Sequence, residues 1–259
     1  MAEPVMVAAS VHTPQSRRGR QSEWAWRIAL AGALITAALL TISDPDQFLP
    51  AFKYLFSFGF LTTVQLVFAS LAGALVLGTI AGTARTSRHP AINIAGSVYI
   101  ESIRGLPILV LLFMSYYGLN QFLPMGWKLD PFAAAVLCFS LAYGAFIGEA
   151  IRAGIEAIPQ EEIEAASLDA APLPRFIHIT GPRAFRTIMP AVGNEFIALL
   201  KDSSIVMIIA LRDLTKAGYE YAGRTFDYFT TYFALALVYL VLTLLLSRFV
   251  RWMEGALDS

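Results

Sequence analysis

Six apolar runs punctuate the chain: Trp26–Ile42, Phe58–Ala84, Leu106–Leu123, Phe132–Ile151, Ile188–Leu211 and Phe229–Ser247. Their lengths suit a bilayer, whose hydrocarbon core needs roughly 20 helical residues to cross. In lipid each backbone donor and acceptor must be satisfied within the segment or in a closed barrel, and these runs lack the period-two alternation of barrel strands. The pattern predicts an all-α integral membrane protein with about six transmembrane helices. The polar tail 1–23 precedes the first run, which occupies 24–43 with its flanks.

Composition agrees with that reading. Of 259 residues, 57% are apolar and 15% charged, and the mean hydropathy is +0.61, outside the range of an ordinary solvated surface. Nineteen basic residues balance nineteen acidic ones, so there is no basic excess to recruit nucleic acid. A lone cysteine, Cys138, cannot form an intramolecular disulfide, and the scattered His12, His89 and His178 argue against a metal site.

An even number of spans puts both termini on one side, and the arginine and lysine distribution selects it. With the N-terminus inside, the inner segments hold Arg17, Arg18, Arg20, Arg27, Arg85, Arg88, Arg104, Arg152, Arg175, Arg183, Arg186, Arg248 and Arg251. The outer ones hold Lys53, Lys128, Lys201, Lys216, Arg212 and Arg224. Thirteen against six predicts cytoplasmic termini. An Arg-containing leader before Ile28–Ile42 also resembles a secretory signal, but no small-x-small cleavage site follows it, and its removal would leave five spans.

No loop is large enough for a soluble domain, and the chain has no G-x4-GK[ST], H-E-x-x-H or G-x-S-x-G motif. What stands out is the inner stretch between Arg152 and Arg186. Within it a helix is expected to open at Pro159, whose missing N–H costs nothing in a first turn. Glu161, Glu162 and Glu164 sit near the positive end of its dipole, and Pro172 and Pro174 end it. Ile163, Ala166 and Ala170 form an apolar seam of mostly small residues, suited to a groove on a second protein. A helix that only lies on lipid would favour Lys or Arg on its polar face, where this one has acids.

The run EAIPQEEIEAASLDAAPLPRFIHITGP resembles the cytoplasmic signature loop of ATP-binding cassette (ABC) importer permeases. Glu164, Ala165 and Ala166 match its opening; Phe176, Ile179 and Pro182 match its close. Ala170 stands where the pattern has Gly, and the stretch to Phe176 is one residue shorter. YIESIRGLPILVLLFMSYYGL from Tyr99, AYGAFIGEAIRAGIEAIP from Ala142 and PAVGNEFIALLKDSSIVMII from Pro190 look like signatures of the polar amino-acid branch. With LTTVQLVFASLAGALVLGTIAG from Leu61, the similarity covers about residues 58–250. The resemblance implies a five-helix type I permease domain over 58–250, with 24–43 as an added N-terminal helix. It also implies two cytoplasmic ATPase subunits that bind ATP and Mg, a second permease chain, the same or homologous, and an extracytoplasmic solute-binding protein. This chain would carry no cofactor and hydrolyse nothing. By the resemblance, Glu164, Ala165, Ala166, Leu168, Asp169 and Ala170 contact the ATPase.

Charges within apolar spans are costly, about 2.5–3.5 kcal/mol each on insertion scales, and each marks a functional hypothesis. In the fifth run Asn194 and Lys201 are seven apart, as are Glu195 and Asp202, giving two polar stripes on adjoining helical faces. With Ser203 and Ser204 they form a polar wedge offering both charge signs to a zwitterion. The alternative is that Glu195 and Lys201 pair with other helices and only hold the bundle. Glu149, Arg152 and Glu156, at i, i+3 and i+7, share one face at the inner end of the fourth run. They read either as a gate latch or as an interfacial arginine between two carboxylates. Gly78-x3-Gly82 and Gly144-x3-Gly148 would permit close helix approach. Besides the importer permease, two readings remain: a stand-alone proton-coupled transporter using Glu195 or Glu149, and an intramembrane enzyme, for which no catalytic constellation is evident.

Overall fold

A computed structural model describes residues 27–32, 34–36, 39, 45–159, 161 and 181–258. The expected helix from Pro159 to Ala170, with Glu164, Ala165, Ala166, Leu168, Asp169 and Ala170, lies outside the described residues apart from Pro159 and Glu161, as does the tail 1–23.

Among the described residues the regular elements are all helical. They are α1 (Arg27–Thr36), α2 (Pro45–Arg85), α3 (Pro90–Arg104), α4 (Ile108–Phe122), α5 (Pro131–Glu156), α6 (Gly181–Asp202), α7 (Leu214–Thr225) and α8 (Tyr228–Asp258). Proline opens α2, α3, α5 at N1, where a missing N–H is harmless. Asp130 caps α5 by accepting from the Ala133 N–H at 2.8 Å, and Asp213 caps α7 through the N–H groups of Thr215 and Lys216.

Among the described residues the six-span expectation is met only in part. Three helices, α2, α5 and α8, are long and apolar enough to cross, and the pair α3–α4 makes a fourth if the two halves, bent by 102°, count as one span. The bend falls at Gly105–Leu106–Pro107, where Pro107 disfavours helical geometry at the residue before it. Segment 90–104, expected as part of an inner loop, is therefore helix. The second run extends back to Pro45, past Asp46 and Lys53, which had broken the hydropathy pattern. The fifth run is not one helix to Leu211. It turns to a 3₁₀ helix over Ser203–Ile209, ending on Ala210 in the left-handed region with φ 63°. Ser203, Ser204, Ile205 and Val206 explain the change, because serines and β-branched residues are poor helix formers.

The bundle is centred on α5, which packs along α2. Gly78 and Gly82 of α2 face Gly144 and Gly148 of α5 so tightly that side chains would not fit. A Cβ on Gly82 would lie 2.6 Å from the Gly148 carbonyl oxygen, and one on Gly78 2.7 Å from Ile147. The core that closes round this contact includes Leu66, Leu112, Phe139, Tyr143, Ile147 and Leu199. A second cluster joins the start of α2 to α7 and α8 through Phe48, Leu55, Leu214 and Leu235. There α2 widens into a π-helical turn, Phe56–Phe60. Within it a Cβ on Gly59 would lie 2.6 Å from the Asp213 carbonyl oxygen, so glycine alone admits the start of α7. The Thr63 hydroxyl also accepts from the Leu214 N–H at 3.0 Å.

Candidate functional site

The glycine contact sets one end of the bundle. Gly82 packs on Gly148 and Ile151, and this places Arg85, one turn further along α2, beside Glu149. Arg85 donates to Glu149 at 2.7 Å and to Glu101 at 2.7 Å, spanning carboxylates on two helices. Arg152 donates to both Glu149 oxygens, at 2.6 and 3.2 Å, and also pairs with Glu156. Arg104 lies 3.7 Å from Glu149. The expected triad Glu149, Arg152 and Glu156 is thus ion-paired, within a larger network of three arginines and three glutamates. Arg85 was not singled out from the sequence, because its partner is 64 positions away.

The polar residues of α6 separate by neighbour. Asp202 accepts from the Tyr143 hydroxyl of α5 at 2.8 Å, and Tyr143 is itself buried. Glu195, one stripe position earlier, is half-buried. Asn194 and Lys201 are exposed. Lys201 opens with Ser204 onto a groove of about 370 Å³ bordered by Tyr239, Leu240 and Thr243 of α8. Ser203 does not line that groove. It is fully buried, and its hydroxyl donates to the Leu200 carbonyl at 2.8 Å. Tyr143 had no sequence signal beyond a polar tip in an apolar run.

At the opposite end Arg212 lies over the Phe58 ring at 4.5 Å, donates to the Tyr54 hydroxyl at 2.7 Å and pairs with Glu220 at 2.8 Å. Burial pushes the neighbouring Asp213 carboxyl up to about 6, against the opposing pull of the backbone N–H groups it caps. Among the described residues no three His, Cys, Asp or Glu side chains could hold a metal together, and Cys138 is a buried free thiol.

Residues 74–259 match the family described as binding-protein-dependent transport system inner membrane component. The chain belongs to that family. It is the permease subunit of an ABC transporter rather than an enzyme; ATP hydrolysis belongs to a partner chain. The permease is similar to the probable glutamine ABC transporter permease protein GlnM of Bacillus subtilis, 35% identical over 202 residues, covering 78% of this chain and 92% of that one. It is also similar to the arginine transport system permease protein ArtQ of the same species, 36% identical over 203 residues, covering 78% and 91%. The glutamine transport system permease protein GlnP of Escherichia coli K12 is 34% identical over 196 residues, covering 74% and 88%. Among solved structures, a crystal structure of an amino acid ABC transporter with histidines superposes with a TM-score of 0.74 at 34% identity, covering 81% and 98%. An inward-facing form of the MetNI methionine ABC transporter, with a TM-score of 0.67 at 19% identity and coverage of 79% and 96%, shares the permease fold.

Proposed function

We propose that this permease forms the path of an ATP-driven importer for a polar amino acid. The observation that carries the reading is the likeness, at 34% identity over 98% of its length, to the solved amino acid ABC transporter. The relatives named for glutamine and arginine support the same substrate class. In this reading two ATPase subunits bind ATP and Mg, a second permease chain completes the path, and an extracytoplasmic solute-binding protein delivers the substrate. The ligand that copurifies with that binding protein tests the class: a polar amino acid upholds it, and a sugar or a metal ion overturns it.

The finer arrangement proposed is six spans in the cell membrane, with α1 and its flanks as the added N-terminal helix and both termini cytoplasmic. The thirteen-to-six basic asymmetry supports it, and thiol labelling from either side of the membrane reads it. Coupling to the ATPase is assigned to Glu164, Ala165, Ala166, Leu168, Asp169 and Ala170. The path is assigned to Asn194, Glu195, Lys201, Asp202 and Ser204, with Tyr143 added. Ser203 leaves that set, because its hydroxyl is used by the helix itself.

Lys201 gives the path its own test. It is exposed and makes no ion pair within the described residues, and an ammonium facing lipid would be costly. Lys201→Met keeps the apolar stem and removes the charge. Uptake is expected to fall about tenfold, equivalent to ~1.4 kcal/mol of lost solute interaction, with the melting temperature of the assembled complex unchanged. A melting temperature that falls together with uptake would instead make Lys201 a bundle-holding charge.

A further inference from the structure

No charged residue stands between Asp227 and Arg248, so the apolar length of α8 ends at two arginines, Arg248 and Arg251, one turn apart on the same side of the helix. From Tyr228 to Arg251 the helix rises about 35 Å at 1.5 Å per residue, just past a hydrocarbon core of about 30 Å. Arg251 therefore reaches headgroup level. Its neighbour Val250 is buried against Gly193 of α6, which sets Arg251 at the seam between two helices. There its Nε and Nη2 are buried and have no hydrogen-bond partner among the described residues, Glu254 one turn further on included. An arginine that merely snorkels keeps its charged head in water, whereas this one has two guanidinium nitrogens withdrawn from it. A buried cation without a partner is costly, so the position calls for an anion. Nε and Nη2 also form one edge of the guanidinium fork, the edge that meets two oxygens side by side.

Beside Arg251 runs an apolar stripe. Leu245, Phe249 and Trp252 lie at i, i+4 and i+7 and are all exposed, with the Phe249 and Trp252 rings 6.0 Å apart. The stripe leads from within the apolar run to Trp252, an amphipathic ring of the kind that collects at the membrane–water boundary. From this geometry we infer that Arg251 holds the phosphate of an anionic phospholipid, whose acyl chain lies along Leu245 and Phe249. One amphiphile meets both requirements. Its phosphate oxygens accept from Nε and Nη2 in the bidentate geometry that arginine offers and lysine does not, and its hydrocarbon covers the stripe. Arg248, one turn back, adds positive potential at the same level, as basic residues do where helices meet anionic headgroups. A carboxylate on a soluble protein could meet the guanidinium, but it would bring nothing to cover Leu245 at the depth of the hydrocarbon. The site is independent of the solute that the permease moves.

The complete transporter, delipidated in a neutral detergent and titrated with dioleoylphosphatidylglycerol, tests this. The lipid is expected to raise the melting temperature of the wild-type complex by about 3–5 °C, since a ligand of the folded state stabilises it by mass action. Arg251→Gln should gain less than about 1 °C, and native mass spectrometry should find it retaining one phosphatidylglycerol fewer per permease chain than the wild type. Arg251→Lys keeps the charge without the fork and should recover part of the rise. Arg88→Gln, which removes an exposed arginine elsewhere, should respond as the wild type does. Inorganic phosphate at the same concentration should leave the wild type unmoved. Equal rises and equal lipid retention in the wild type and Arg251→Gln would overturn the site, as would a wild type that does not respond to the lipid, the result expected if a carboxylate of a partner protein meets Arg251 instead. A rise with inorganic phosphate that matches the lipid's would assign the guanidinium to a soluble anion and overturn the phospholipid. If Arg251→Gln fails to assemble, Arg251→Lys carries the comparison, and a rise equal to that of the wild type overturns the bidentate contact. Both readouts report binding, so they stand apart from any failure of the importer reading, which shows only in uptake.

Discussion

Gly82→Val is expected to abolish a stable, assembled permease. The new Cβ would lie 2.6 Å from the Gly148 carbonyl oxygen and 2.8 Å from the Ile151 Cβ. The first obstacle is backbone, so no rotamer change relieves it, and α2 and α5 must separate along their central contact. Overpacking of a close core typically costs about 1–3 kcal/mol, and here the two added methyl groups compound it. The separation also draws Arg85 away from Glu149, whose pairing at 2.7 Å depends on that approach. The melting temperature of the detergent-solubilised complex and the yield of inserted chain check the expectation. Gly126→Ala is the matched control, because nothing lies within 4 Å of its added Cβ. Equal stability of the two variants would show that the glycine contact does not organise the bundle.

Ala166→Trp is expected to abolish uptake while leaving the chain inserted. In the proposed coupling, Ala166 belongs to the small-residue seam expected of the segment that follows Pro159, and a tryptophan there would overfill the groove proposed to receive it. Losing a docking contact of about 2 kcal/mol corresponds to ~30-fold weaker engagement. ATP hydrolysis should continue at its unstimulated rate, because the nucleotide sites are on other chains. Normal uptake by a stably inserted Ala166→Trp permease would place the ATPase contact elsewhere.

These two predictions draw differently on sequence and structure. The small-x3-small spacing of Gly78, Gly82, Gly144 and Gly148 was legible in the sequence, because close helix packing requires small residues at helical spacing. Which pair met which was not, since spacing gives a face and not a partner. Glu149, Arg152 and Glu156 were legible as one helical face for the same reason. Arg85, Glu101 and Arg104 complete the network through tertiary contacts that a one-dimensional pattern does not contain. Hydropathy placed the long apolar stretches but missed α3, whose residues are amphipathic rather than uniformly apolar, and overran the end of α6. There, apolar Ile205 and Val206 kept the hydropathy high while their β-branching, with Ser203 and Ser204, favoured a tighter turn. Tyr143 was invisible as a site residue because its partner, Asp202, comes from another helix 59 positions on.

The most direct test of the account is uptake of a radiolabelled polar amino acid into vesicles containing the permease and its ATPase partner, with the binding protein outside and ATP inside. Uptake is expected to need ATP and the binding protein together, to persist when a protonophore collapses the proton gradient, and to stop when the ATPase is omitted. Uptake that proceeds without ATP and follows the proton gradient would contradict it, and would make this chain a self-sufficient proton-coupled transporter.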